Sequence, residues 1–488
     1  MFDSILLIIE SRQLEVFSIY VAAGLSILLR NVVYQAAWSD LSTRRRVLIF
    51  EFMCLVLPMV LVETILSAHT FITVAILIIL NCAYFIVRYR TIIEGNNRNH
   101  ILLGKTNDDL CSGFSFTQFF SDVPPKEAFE NSIKWFRTMV LISTGVAILA
   151  VDFPVFPPHF GKSTTYGHSL MDTGTAAFVF LNALSDFGAV SKRGSDKITR
   201  ISYIYVGRVK IPSIFLLLLC GLARCFYVAH FTAHKNFTEY GVYWNFYITL
   251  FFLRVFVMMT GYPRCILVGI IIGIGYELAL LFYGLEEWIL RDDKTSPRVG
   301  IIDENREGIF SMFGYIFLYS LSLVYAKFIS SVLLRKKNSL IYGIFVGFTF
   351  SWCCLALQLY LENYYSIASS RRVANLTYVL SMLWLFTVSL PGLQSFNLLV
   401  AAPVSPSRFT QMSLLEAISR NALTYFIVAN IFTALVNLME LPKTNYLSSA
   451  ISEALLIVLY SLMTSLVVYY VNVRRNNSIP SRWNIKDL

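Results

Sequence analysis

The chain has 488 residues, of which 56% are hydrophobic and 14% charged, and its mean hydropathy is +0.62. An ordinary soluble domain is about 45–50% apolar and about 25% charged, so a water-soluble fold is excluded. A net charge of +10 would point to nucleic acid in a soluble protein. Here the basic residues gather in short loops between apolar runs, as in oriented membrane proteins, and no nucleic-acid partner is expected.

The N-terminus reads MFDSILLIIESRQLE, with acidic residues and no basic stretch before its short apolar run. It lacks the shape of a cleaved signal peptide, so the first span is expected to act as an uncleaved signal anchor. Apolar runs follow at about 14–34, 47–67, 70–87, 138–153, 169–186, 212–231, 242–260, 264–284, 309–334, 339–361, 374–396, 421–439 and 448–472. Each approaches the ~20 residues that a helix needs to cross hydrocarbon, where only a helix or a closed barrel satisfies its own backbone. The expectation is an all-α polytopic transmembrane helical bundle of about thirteen spans, forming a single integral membrane domain over residues 1–488. The connection 88–137 contains SFTQFFSDVPP and ENSIKWF. It reads either as a cytosolic loop with short interfacial helices or as an ordinary loop.

Orientation follows from the charges. Arg44, Arg45 and Arg46, then Arg88, Arg90 and Arg98, then the stretch Lys192 to Lys210, then Arg335, Lys336 and Lys337, and finally Arg474 and Arg475 all fall on one side of the counted spans. That side is expected to be cytosolic, which puts the N-terminus in the lumen and the C-terminus in the cytosol. The acidic stretch Glu286 to Glu307 and the sequon Asn236-Phe237-Thr238 fall on the opposite side, so Asn236 is the expected glycosylation site. The sequons at Asn375 and Asn476 add little, since the first abuts a span and the second lies in the cytosolic tail. The eight cysteines lie mostly inside apolar runs without paired spacing, so neither a metal site nor a disulfide framework is expected.

Polar backbone at membrane depth survives only where protein or water covers it, so breaks between spans are where chemistry is sought. One break dominates: DFPVFPPHFGKSTTYGHSLMDTG, from Asp152 to Gly174. Its three prolines stiffen the first half, and Gly161 and Gly167 free the second. Asp152 and Lys162 either converge over one pocket or form a purely structural pair. Asp172 opens a span, where the helix dipole favours a carboxylate. Tyr166 and His168 share the loop, and Arg224, Asn245 and Arg254 are polar residues inside apolar runs. The arginines suit a phosphate, although snorkelling or a carboxylate partner would satisfy them equally. Each asparagine suits an interhelical hydrogen bond. His159, His168, His230 and His234 lie near the expected lumenal face. No nucleophile elbow or telling Cys/His pair supports covalent catalysis.

The blocks VDFPVFPPHFGKSTTYGHSLMDTG (151–174), TEYGVYWNFYITL (238–250), NREGIFSMFGY (305–315) and NALTYFIVANIFTALVNL (421–438) resemble the inositol acyltransferases of glycosylphosphatidylinositol (GPI)-anchor assembly, the PIG-W type. The resemblance implies a thirteen-span multi-pass protein of the endoplasmic reticulum membrane. Its activity would be O-acyl transfer of a long chain, typically palmitoyl, from acyl-CoA to the inositol 2-hydroxyl of glucosaminyl-phosphatidylinositol. It implies no permanently bound cofactor, with palmitoyl-CoA as co-substrate and membrane lipid as surroundings. It places the catalytic pair on Asp152 and Lys162. Tyr166, His168, Asp172, Arg224, Asn245 and Arg254 are the candidate substrate contacts. Composition alone describes a polytopic lipid transporter or flippase equally well, and a scaffold subunit is a further alternative.

Overall fold

The computed structural model describes residues 2–36, 44–102, 124–193, 203–206, 209–231, 240–291, 298–333, 339–399, 413–441 and 449–477. Its helices are α1 (Phe2–Ala36), α2 (Arg44–Glu51), α3 (Leu57–Glu63), α4 (Thr70–Leu102), α5 (Pro125–Ala150), α6 (Thr173–Arg193), α7 (Ser213–Phe231), α8 (Phe246–Thr260), α9 (Arg264–Phe282), α10 (Leu285–Leu290), α11 (Gly300–Glu304), α12 (Arg306–Leu333), α13 (Ser339–Tyr364), α14 (Leu376–Leu399), α15 (Leu414–Arg420), α16 (Ala422–Leu438) and α17 (Ala450–Asn477). Among the described residues the one sheet is a hairpin of β1 (Tyr203–Val206) and β2 (Val209–Pro212), antiparallel with Tyr203 opposite Pro212. The chain is an all-α, multi-pass membrane protein.

Every expected apolar run falls on helix, but the runs are not equal. Among the described residues nine helices are long and apolar enough to cross a membrane. A tenth span results if α15 and α16, which meet at a 93° bend, count as one. The stretches Ser213–Phe226 and Phe246–Thr260 are apolar but shorter. Run 47–67 is broken: α2 passes into a π-turn at Phe52–Val56, and α3 restarts with Pro58 in its first turn. Pro58 has no N–H for the ladder, which fits a widened turn ahead of it. In the connection 88–137, α4 continues unbroken to Leu102, and Pro124 and Pro125 start α5, so ENSIKWF forms the opening turns of a long helix rather than a separate element. Residues 103–123 of that connection lie outside the described residues.

The chain divides into two compact units, each assembled from separated stretches: Met1–Arg12 with Gly161–Val388, and Gln13–Phe160 with Ser389–Leu488. In the first, α12 is the central helix and touches α6, α8, α9, α10 and α13. It approaches α9 closely because Gly269 and Gly273 present bare backbone to Ser320 and Phe317, where a Cβ would overlap either side chain. This spacing of small residues is how membrane helices gain contact without a hydrophobic driving force. In the second unit, α5 plays the same part and touches α3, α15, α16 and α17. Tyr425 packs on Gly145, and the Tyr460 hydroxyl donates to the Gly145 carbonyl at 2.9 Å. Phe71, Ile72, Ile76 and Ile79 of α4 are more than half exposed, as expected of a face that meets hydrocarbon rather than water.

Candidate active site

The polar break begins where α5 ends at Ala150. Pro154, Pro157 and Pro158 cannot continue a helix. The chain therefore closes in short turns, with the Asp152 and Phe153 amides donating to the Leu149 and Ala150 carbonyls at 3.1 and 3.0 Å. Phe153, Phe156 and Phe160 are buried and pin the turns to the unit beneath. The Val155 amide donates to Glu453 Oε2 at 2.8 Å. This scaffold leaves Asp152 exposed, with its Oδ2 accepting from Asn437 Nδ2 of α16 at 2.9 Å. His159, also exposed, meets Glu15 at 3.2 Å.

The second half of the break, from Gly161 on, belongs to the other unit. Lys162 is exposed, and the next residues bind a loop that precedes α14. Arg372 donates to the Thr164 carbonyl at 3.1 Å, Ser370 Oγ to the Thr165 carbonyl at 2.6 Å, and the Gly167 amide to the Ser369 carbonyl at 2.9 Å. Gly167 has φ of 117°, a conformation that glycine reaches without strain. The Tyr166 hydroxyl donates to Glu286 Oε1 at 3.1 Å. Partial burial, and the negative charge of Glu286 beside it, push the Tyr166 phenol up to about 12. Burial also raises the Glu286 carboxyl, with the Tyr166 hydrogen bond opposing and Glu287 adding to the rise.

Asp172 and His168 are enclosed. Asp172 is 1% exposed and pairs with Arg371 Nε at 2.6 Å, while the Ser163 amide donates to both of its oxygens at 3.3 Å. The Arg371 guanidinium lies 5.7 Å over the Tyr240 ring, and the Tyr378 hydroxyl donates to the Asp172 carbonyl at 2.8 Å. His168 Nδ1 lies 3.0 Å from Ser381 Oγ, and its Nε2 lies 3.7 Å from Glu362. These two side chains lock the loop to its helices. Arg372 and Arg298 each reach Glu307 Oε1 at 2.6 Å, completing the support. Asn375, despite its sequon, is buried as the cap of α14 and accepts from the Ser370 and Tyr378 amides.

The remaining candidates lie elsewhere in the first unit. Arg254 has the carboxylate partner that the sequence left open: Asp186 at 2.5 Å, with Asn182 at 3.1 Å and the Tyr319 hydroxyl on the same carboxylate. Asn245 caps α8, accepting from the Tyr247 and Ile248 amides and donating to the Gly221 carbonyl at 3.1 Å. Arg224 is exposed on α7. Asn236 lies outside the described residues. The sequence reading did not find Arg371, Arg372, Arg298 or Glu307. The signal available was the pair Arg371-Arg372 in a connection on the expected lumenal side, where positive charge is otherwise sparse.

Comparison with known proteins gives these features a context. The GWT1 family model matches residues 10–471. The glucosaminyl-phosphatidylinositol-acyltransferase PIGW of Bos taurus is 28% identical over 91% of this chain and 91% of its own length. GPI-anchored wall transfer protein 1 of Candida albicans is 30% identical over 70% of this chain and 74% of its own length. The Saccharomyces cerevisiae protein of the same name is 33% identical over 62% of this chain and 66% of its own length. With the match running through nearly every helix and through the whole polar break, this chain belongs to the GWT1 family and is an acyltransferase.

Proposed function

We propose that this enzyme transfers a long acyl chain, palmitoyl in the first instance, from acyl-CoA to the inositol 2-hydroxyl of glucosaminyl-phosphatidylinositol in GPI-anchor biosynthesis. The setting is the endoplasmic reticulum membrane, with the N-terminus and the Asp152–Asp172 loop lumenal and the C-terminus cytosolic. The chain acts as one integral domain, without a resident cofactor. Family membership favours acyl transfer over the transporter or flippase reading, and the bovine relative's name supplies the acceptor.

An alcohol is a weak nucleophile at neutral pH, so its attack on a thioester calls for a positioned base and a donor to the developing oxyanion. In this reading Asp152 takes the hydroxyl proton. The hydroxyl oxygen adds to the thioester carbonyl to give a tetrahedral oxyanion, whose collapse breaks the C–S bond, and CoA leaves as a thiolate that recovers the proton from Asp152. A thiol pKa of ~8.5, by analogy with cysteine, makes it a good leaving group without a strong general acid. Lys162 stabilises the oxyanion or orients the base. The observation that carries the reading is that Asp152 stands exposed just past the end of α5, with its carboxylate held by the side-chain amide of Asn437. A side-chain amide orients a carboxylate while leaving lone pairs for a substrate proton. Lys162 is likewise exposed, in contrast to the enclosed His168 and Asp172.

The test is acylation of glucosaminyl-phosphatidylinositol by the purified protein with labelled palmitoyl-CoA. Removal of a general base typically costs about 10²–10⁴ in rate. Asp152→Asn should therefore lose activity on that scale, and Lys162→Ala should also lose most of it, with both accumulating normally. Wild-type rates in both variants would remove the assignment of these residues. An unacylated inositol with wild-type enzyme would remove the proposed reaction.

A further inference from the structure

The stretch that carries Lys162 is bound to a trio of side chains in which cations outnumber carboxylates. Glu307 is 0% exposed and receives two arginines. Arg298, 1% exposed, forks it, with Nη2 donating to Oε1 at 2.6 Å and Nη1 to Oε2 at 2.8 Å. Such a fork engages both carboxylate oxygens and matches the charge one to one. Arg372 shares Oε1 at 2.6 Å, so one positive charge is left over. Counting the adjoining Arg291, Arg306, Asp303 and Glu304 as well leaves the same surplus of one. Of the two arginines on Glu307, Arg372 is the one that faces outward, with its side chain 20% exposed. Its neighbour Arg371 differs, being buried and matched by Asp172.

Arg372 also reaches the loop itself. Its Nη1 donates to the Thr164 carbonyl at 3.1 Å, two residues past Lys162, a separation of at most about 7 Å along the chain. Lys162 and Thr164 are both exposed. Thr164 and Glu307 take two of the five N–H groups of Arg372, which leaves three for a ligand. Among the described residues no carboxylate other than Glu307 accepts from it; Glu286 meets the loop further on, through the Tyr166 hydroxyl. A guanidinium so placed favours a phosphate oxygen over a neutral group. The acceptor brings a phosphate to this edge. In glucosaminyl-phosphatidylinositol the phosphodiester sits on the ring carbon next to the one that bears the 2-hydroxyl, so an inositol presenting that hydroxyl beside Lys162 presents its phosphate there too. CoA carries phosphates as well, but the length of the pantetheine arm separates them from the thioester.

We propose that Arg372 is a specificity residue for the acceptor: its guanidinium binds the phosphodiester beside the reacting hydroxyl, while Glu307 and Arg298 hold that guanidinium in place. The inference rests on the proposed function and adds the group that recognises the acceptor's charge. It also separates the two neighbouring arginines by role, since Arg371 is spent on Asp172 inside the fold and Arg372 is directed at the substrate.

The test uses purified full-length protein in lipid vesicles with palmitoyl-CoA. Acylation of glucosaminyl-phosphatidylinositol is compared with that of its methyl phosphotriester, in which the phosphate is uncharged. One charge-assisted contact implies a wild-type preference for the diester of roughly 10–100-fold in kcat/KM. Arg372→Gln should erase that preference by raising KM for the diester, with kcat little changed, the triester unaffected and KM for palmitoyl-CoA unaltered. Equal use of both acceptors by wild type overturns the assignment. So does a Gln variant that slows both acceptors alike and keeps the preference, which is the result a purely structural role would give. A rise in KM for palmitoyl-CoA in place of the acceptor also overturns it and hands the site to the phosphates of CoA. Should the Gln variant not accumulate, Arg372→Lys takes its place: a point charge without the fork must reduce the preference, and an unchanged preference overturns the assignment. A wild-type enzyme that acylates neither acceptor defeats the proposed function, and this inference falls with it.

Discussion

Asp172 illustrates what a single side chain does here. Its place ahead of α6 suggests a helix-dipole role, yet its strongest partner is Arg371, brought from a distant loop to 2.6 Å. Both side chains are nearly inaccessible, so the loss of either leaves a buried charge uncompensated. We expect Asp172→Asn and Arg371→Leu each to lower stability by about 3–5 kcal/mol, and Asp172→Leu with Arg371→Leu together to recover much of the loss. Thermal unfolding in detergent checks this; single variants within about 0.5 kcal/mol of wild type would mean that the pair does not hold the loop. Asp303, outside the spans, gives a pH dependence. Slight burial works to raise its pKa, but the Val299 amide and the Arg306 and Arg291 guanidiniums outweigh it and hold the carboxyl below the ordinary range. A depressed folded pKa means that its stabilisation is complete above the unfolded value near ~3.9 and is lost as pH falls through the lower folded value. Melting temperatures should therefore drop more steeply below pH ~4 for wild type than for Asp303→Asn, and parallel curves would contradict this.

At the scale of elements, periodicity and apolar length located the helices, but not what they do at their ends. Pro58 was visible inside run 47–67 without disclosing the π-turn ahead of it, because that choice depends on packing from elsewhere. The loop that supports Thr164, Thr165 and Gly167 was likewise invisible, since its arginines and Ser370 meet them only after α12 to α14 have packed. Gly314 is the position where this packing is tightest. A Cβ there would run into the backbone carbonyl of Ala374, and Ala374 already sits at φ of 51°. Gly314→Ala should therefore push the Arg371-Arg372 loop off α12, lowering stability by about 1–3 kcal/mol as overpacking does and reducing acylation with it. Gly275→Ala, on α9 with nothing within 4 Å of the added carbon, is the control and should be neutral or stabilising by about 0.5–1 kcal/mol. Equal effects at the two positions would show that helix propensity, not the Ala374 contact, sets the response.

For the whole molecule, composition was enough to give a multi-pass bundle, and the polar loop between α5 and α6 was legible as a break because prolines, glycines and charge are rare in such a chain. The number of crossings was less legible, since apolar length alone cannot separate a span from a bent or shortened helix. Between the polar loop and the C-terminal Arg474, six unbroken helices among the described residues are long enough to span: those at Thr173–Ser191, Arg264–Phe282, Arg306–Leu333, Leu340–Tyr364, Leu376–Leu399 and Ala450–Arg475. The two shorter helices, α7 and α8, leave the count even whether both cross or neither does. With α7 and α8 taken as a pair, the bent pair α15 and α16 decides whether the loop and the tail face opposite compartments. The proposed orientation requires that it cross. In a cysteine-free background, Arg474→Cys should react with a membrane-impermeant maleimide in sealed microsomes, whereas Thr164→Cys, at an exposed site beside Lys162, should react only after permeabilisation. If both react before permeabilisation, the bent pair re-enters without crossing, and the polar loop then faces the cytosolic pool of acyl-CoA. That outcome would leave the chemistry of Asp152 intact and reverse the side from which the acceptor lipid must approach it.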